Sequence, residues 1–193
     1  MNLRQLGFVI ETKWLWIRRA IALAALAAVI LPTQILAQSA VQREYEIKAA
    51  YLYNFINYIE WPADSLPPVG GTITIGIVGD DPNLSAFETL NGKQTKGRSL
   101  SVKAVNSAKD LEGCQIVFVF ASARSRIGDI LDQSKTAGVL TVGEVEGFAA
   151  RGGVINFISE HNKVRFEINP DVAKRLGLNI SSELLKLARL VKS

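Results

Sequence analysis

From residue 43 to residue 60 the chain reads REYEIKAAYLYNFINYIE. Ala49, Leu52, Tyr53, Ile56 and Ile59 recur at helical spacing and predict an amphipathic helix with one apolar face. Trp61-Pro62 ends it, because proline disfavours helical geometry in the residue before it. After the loop SLPPVGG the pattern changes. TITIGIV (72–78), RSLSVKAV (98–105), QIVFVF (115–120) and GVLTVG (138–143) read as strands, and most are nearly continuous apolar runs. Such runs suit strands covered on both faces. Between them, NLSAFETL (83–90) and SARSRIGDILDQSK (122–135) read as helices, the second with Ile127, Ile130 and Leu131 inward. Asp81-Pro82 reads as an acidic cap and first position for the helix at 83–90.

The last third alternates differently. Glu146 to Ala150 suggests one helical turn closed by Gly152-Gly153. VINFISE and KVRFEIN flank His161-Asn162, the signal of a hairpin with a two-residue turn. That register sets Phe157 against Phe166 and Ile155 against Ile168. Asp171 to Leu176 then forms a short helix. SSELLKLARLV (181–191) closes the chain as a helix with Leu184, Leu187, Ala188 and Val191 inward. The expectation is a single three-layer α/β domain over 38–193: a mostly parallel sheet, a C-terminal antiparallel hairpin, and helices on both faces.

The N-terminus changes the setting. Arg4, Lys13, Arg18 and Arg19 precede the uncharged run AIALAALAAVIL, and small residues follow Pro32. This reads as a secretory signal peptide, residues 1–37, cleaved after Ala37, and implies export. A retained membrane anchor is the competing reading. The leader carries four basic residues and one acid, so the rest of the chain is nearly neutral. The high overall pI is then no sign of a nucleic-acid partner.

Candidate chemistry is sparse. Cys114 is the single cysteine and His161 the single histidine. They leave little material for cysteine- or histidine-based metal sites or for a catalytic triad. Gly76, Gly79, Asp80 and Asp81 depart from the G-x-G-x-x-G dinucleotide pattern, and two carboxylates there repel phosphate. No catalytic residues, metal ligands or cofactors are assigned. Ligands of open α/β sheets gather beyond the carboxyl ends of the strands, an edge that would collect Asp80, Ser122, Arg124 and the 143–146 loop. Ser122 and Arg124 are the ligand candidates there. On the hairpin, Asn156, Arg165 and Glu167 share the face opposite the core, where Arg165 and Glu167 could pair, and this face is a second candidate for partner binding. On the first helix, Tyr51, Asn54 and Tyr58 lie away from the apolar stripe. With Trp61 they suggest a protein-binding face.

Several long blocks, in order, resemble the YfiR family of periplasmic signalling proteins: KAAYLYNFINYIEWP (48–62), IGIVGDDP (75–82), GCQIVFV (113–119), VLTVGEVEGFAARGGVINF (139–157) and KVRFEINPDVAKRLGLNISSELLKLARLV (163–191). The resemblance implies a regulator without chemistry of its own. While other members serve other membrane receptors, including sensor kinases, the founding members of that family repress a membrane-bound diguanylate cyclase, and so cyclic di-GMP signalling, by binding its periplasmic domain. An outer-membrane lipoprotein can sequester them, and they often dimerise. The implied partners are therefore the periplasmic domain of an inner-membrane diguanylate cyclase or sensor kinase, an outer-membrane lipoprotein, and a second copy of the chain. Disulfides stabilise some members; with Cys114 alone, no intramolecular bridge carries over. A small-molecule sensor and, more remotely, a secreted hydrolase are the other function classes.

Overall fold

The computed structural model describes residues 38–135 and 138–192. The leader assigned to residues 1–37 lies outside the described residues. Among the described residues, no helix is long and apolar enough to cross a membrane.

Among the described residues, ten strands and five α-helices follow in order. Helix α1 spans residues 38–58. Strands β1 (Ile59–Glu60) and β2 (Thr72–Val78) precede α2 (Leu84–Glu88). Strands β3 (Gln94–Thr95), β4 (Arg98–Val105) and β5 (Ile116–Val119) precede a 3-10 segment, Ala121–Arg126, that runs into α3 (Ile127–Gln133). Then come β6 (Leu140–Gly143), β7 (Ile155–Glu160), β8 (Lys163–Ile168), α4 (Pro170–Arg175), β9 (Asn179–Ile180), α5 (Ser182–Leu187) and β10 (Arg189–Leu190).

The main sheet has the order β10-β8-β7-β6-β5-β2-β4-β3. Strands β4, β2, β5, β6 and β7 are mutually parallel, while β8 and β3 run antiparallel to their neighbours β7 and β4. Strands β1 and β9 pair separately, Ile59 opposite Ile180. This is the α/β domain expected, with its hairpin at one end.

Strand alternation divides the core in two. Ile73, Ile75, Ile77, Ile116 and Phe118 face one side, where they meet Leu52, Phe55 and Ile56 of α1, Ile59 of β1 and Phe87 of α2. Val78, Val117 and Val119 face the other and meet Ala123, Ile127, Ile130 and Phe148. Because successive side chains point to opposite faces, an unbroken apolar run fills both clusters. Cys114 lies in the second cluster, and burial pushes its thiol pKa up.

The hairpin register is as read: Phe157 opposes Phe166 and Ile155 opposes Ile168. His161 and Asn162 both adopt positive φ, 52° and 58°, the geometry of a tight two-residue turn.

Three expectations are corrected. Asp81 does not cap α2. Asn83 holds the cap position, and the Asp81 carboxylate instead accepts from Asn83 N–H (2.9 Å) and from the Asn83 side-chain amide (2.7 Å), closing a turn one step earlier. The helix expected over 181–191 stops at Leu187. Ala188 turns extended, and β10 lies parallel to β8, Arg189 beside Glu167 and Leu190 beside Ile168. Leu187 is exposed rather than inward. Tyr51 packs against Phe55, Phe157 and Phe166, so it belongs to the core side of α1.

A sealed strand edge and an open pocket

The carboxyl ends of β2, β5 and β6 meet where ligands of open α/β sheets bind. The chain fills this place itself. Glu144 follows β6 directly, and each of its oxygens is engaged. Oε1 accepts from the Ala121 backbone N–H (2.9 Å) and the Tyr45 hydroxyl (3.1 Å); Oε2 accepts from Lys48 Nζ (2.8 Å). Lys48 also reaches Glu44 one helical turn back (2.7 Å) and lies over the Tyr45 ring. The Lys48 and Glu144 side chains are only 8% and 5% exposed, so this ion pair is shielded from water. Burial raises the Tyr45 phenol pKa, and the nearby carboxylates of Glu144 and Asp81 raise it further. Tyr45 is therefore held as the neutral donor that Glu144 requires.

Gly79 belongs to the same closure. Its φ is +117°, and a Cβ there would stand 2.6 Å from Ser122 Oγ and 2.8 Å from Phe120 Cβ. The glycine of IGIVGDDP thus lets the β2 end and the β5 end approach. Ser122 and Arg124 are both exposed on the 3-10 segment after β5. The backbone beside Ser122, at Ala121, is what Glu144 holds.

The second region is at the hairpin. Asn156 and Glu167 are direct cross-strand partners, both buried. Asn156 Nδ2 donates to Glu167 Oε2 (3.2 Å). Glu167 Oε1 accepts from Arg189 Nε (3.0 Å) and is also paired with Arg189 Nη2. Arg165, the expected partner of Glu167, is exposed and stands opposite Ile158 instead. Glu167's cation comes from β10, which sequence periodicity had assigned to a helix. The strong pairing raises the Arg189 pKa, first through the hydrogen bond to Glu167 and then through its charge.

These groups border a pocket of about 240 Å³, lined also by Glu144, Glu146 and Ser159. The loop that carries Glu144 and Glu146 is anchored by Phe148, which is fully buried. A Cβ on Gly143 or Gly153 would stand 2.6 Å or 2.2 Å from its ring, so only glycines let the ring between those two backbones. The block VGEVEGFAARGG is thus a loop clasped on one aromatic ring.

The two surfaces chosen from the sequence lie on opposite sides of the sheet. Phe157 and Phe166 point to the cluster that α1 covers, so Asn156, Arg165 and Glu167 point away from it. On α1, Asn54 and Tyr58 are exposed and continue a stripe that begins at Ile47. Trp61 is half-buried; its indole N–H makes no hydrogen bond, and Lys96 Nζ lies 5.7 Å from its ring centre. Among the described residues, no group of three or more His, Cys, Asp or Glu side chains is placed to hold a metal ion.

Fold and site together define an α/β domain whose customary ligand edge is closed by its own side chains. The chain belongs to the YfiR/HmsC-like family, whose model matches residues 45–189. That family consists of regulators rather than enzymes. No curated protein matches the chain. Two solved structures are similar at low identity. One is described as the ABC domain in complex with L-Trp from Streptococcus pneumonia (14% identity, TM-score 0.48), sharing 62% of this chain and 55% of that one. The other is a conserved domain protein from Vibrio cholerae (12% identity, TM-score 0.48), sharing 77% of this chain and 60% of that one.

Proposed function

We propose that this protein is a periplasmic regulator that represses a membrane-bound signalling enzyme, a diguanylate cyclase, through protein contact. The observation that carries the reading is the family match across residues 45–189. The exposed stripe of α1 supports a place for the contact. Ile47, Asn54 and Tyr58 recur at helical spacing, and Ile47 and Tyr58 are 42% and 46% exposed despite their apolar surface. An aromatic–aliphatic stripe suits the centre of an interface better than the polar hairpin face does. Repression then requires that the regulator bind the inactive receptor state more tightly than the active one. A second copy of the chain and an outer-membrane lipoprotein are further partners under this reading.

The test is envelope cross-linking in living cells, with capture through a C-terminal tag and mass spectrometry of what is captured. An inner-membrane cyclase should be recovered, and loss of the protein should raise cyclic di-GMP. Tyr58→Glu should reduce recovery at least about tenfold while leaving the thermal midpoint unchanged; an interface hot spot contributes ~2 kcal/mol or more. Arg165→Glu, on the other side of the sheet, should leave capture intact. Recovery of self-cross-links alone would remove the repressor reading.

A further inference from the structure

The hairpin pocket has one property that the ion pairs around it do not account for. Asn156 is fully buried, and its Oδ1 accepts no hydrogen bond. The amide orientation is dictated by its neighbour. Turning the amide over would set Oδ1 against the Glu167 carboxylate and lose the bond from Nδ2. Asn156 lines the pocket, and its acceptor is left without a donor, an unfavourable state that a ligand donor would relieve.

The charge around that acceptor is mainly negative. Glu144, Glu146 and Glu167 line the pocket against the single cation Arg189. Glu144 is neutralised by Lys48, and Glu167 by Arg189. Glu146 is exposed, and only its backbone carbonyl is engaged, by Arg151 Nη2 at 2.9 Å. The pocket thus offers an unfilled acceptor beside a carboxylate. At about 240 Å³ it is smaller than typical drug-sized sites, so its occupant is a group of few atoms. The Arg189 guanidinium already rests on Glu167 at the rim and shows which chemistry this wall accepts.

We propose that the pocket bounded by Asn156, Glu146 and Glu167 binds a small organic cation with N–H donors, an alkylammonium or guanidinium group. One N–H fills Asn156 Oδ1, and the positive charge faces Glu146. The proposal does not depend on the repressor reading, since the purified protein alone tests it.

The experiment is a titration with agmatine, followed through the Asn156 side-chain amide by NMR, with glutarate as the anionic control. Agmatine should shift that amide saturably, and glutarate should not. Glu146→Gln, at an exposed position, should weaken binding about fivefold, the scale of one exposed charge pair. Arg189→Ala releases Glu167 to the pocket and should tighten binding by a similar factor. That opposite direction separates a ligand site from general disruption. An arginine capped at both ends distinguishes the two sources of such a group. Preference for agmatine indicates a free amine; equal or tighter binding of the capped arginine indicates a polypeptide side chain. No saturable shift, a shift shared with glutarate, or indifference to both substitutions would overturn the proposal.

Discussion

The carboxyl edge of the parallel strands and the face of the hairpin are both polar regions bordered by Glu144, yet they are finished differently. At the edge, Glu144 has three donors, from Tyr45, Lys48 and Ala121, and Gly79 draws the strand ends together. At the hairpin, Asn156 keeps an acceptor without a donor inside a pocket. A fully satisfied buried network stiffens a fold, whereas a partly satisfied one leaves affinity for something else. The lesson is that fold topology points to the strand edge, while the hydrogen-bond accounting points to the hairpin.

The largest test of this contrast is at Glu144. Glu144→Ala leaves Lys48 buried without its shielded partner and frees two further donors. It should cost about 3–5 kcal/mol, read as a fall in the urea midpoint. A midpoint within error of the parent would mean that the edge is open to water and not sealed. Next is Gly79→Ala. A side chain at φ +117°, pressed on Ser122 and Phe120, should cost roughly 1–3 kcal/mol. An unchanged thermal midpoint would show that the strand ends are not in close contact.

A smaller effect lies in the alkaline range. The folded Tyr45 pKa is raised, chiefly by burial and then by Glu144 and Asp81. Its contribution to stability is therefore fully present below the unfolded phenol value of about 10, and is lost as pH rises through the folded value. Tyr45→Phe should flatten this part of the stability profile above about pH 10. A profile identical to the parent's would exclude Tyr45 as its source. Smaller again is Arg189→Ala: it leaves the Glu167 carboxylate, 8% exposed, without its cation, so the thermal midpoint should fall, though by less than for Glu144→Ala because Arg189 itself is 60% exposed, while agmatine binding tightens. A large loss of stability there would make the hairpin face a structural network like the edge.

Much of this was legible along the chain. The hairpin register followed from period-two alternation about a two-residue turn, and it brought Asn156 and Glu167 together correctly. The α1 stripe followed from helical spacing, apart from Tyr51. Its ring reaches sideways onto Phe157 and Phe166, so it packs with the core although its position lies off the main stripe. The partner of Glu144 was not legible, because Lys48 lies 96 residues away and only the packing of α1 over the sheet brings them together. The same holds for Glu167. Arg165 looked like its partner by proximity along the strand, and Arg189 took that place from a neighbouring strand.

The C-terminal segment marks the boundary between the two kinds of information. Local spacing in SSELLKLARLV satisfies a helix throughout, and Ser181 does cap one, accepting from Leu184 N–H at 3.2 Å. The helix still ends at Leu187, since β8 has an open edge that Arg189 and Leu190 pair with, and Glu167 holds Arg189. Periodicity, turn residues and caps act between residues near in sequence, so the sequence by itself determined the long strands, the hairpin and the alternation of the core, though not the two-residue strands β1, β3, β9 and β10. Which charges meet, where the last helix yields to a strand, and which acceptor stays empty depend on groups brought together from distant parts of the chain. Only the tertiary structure decided those.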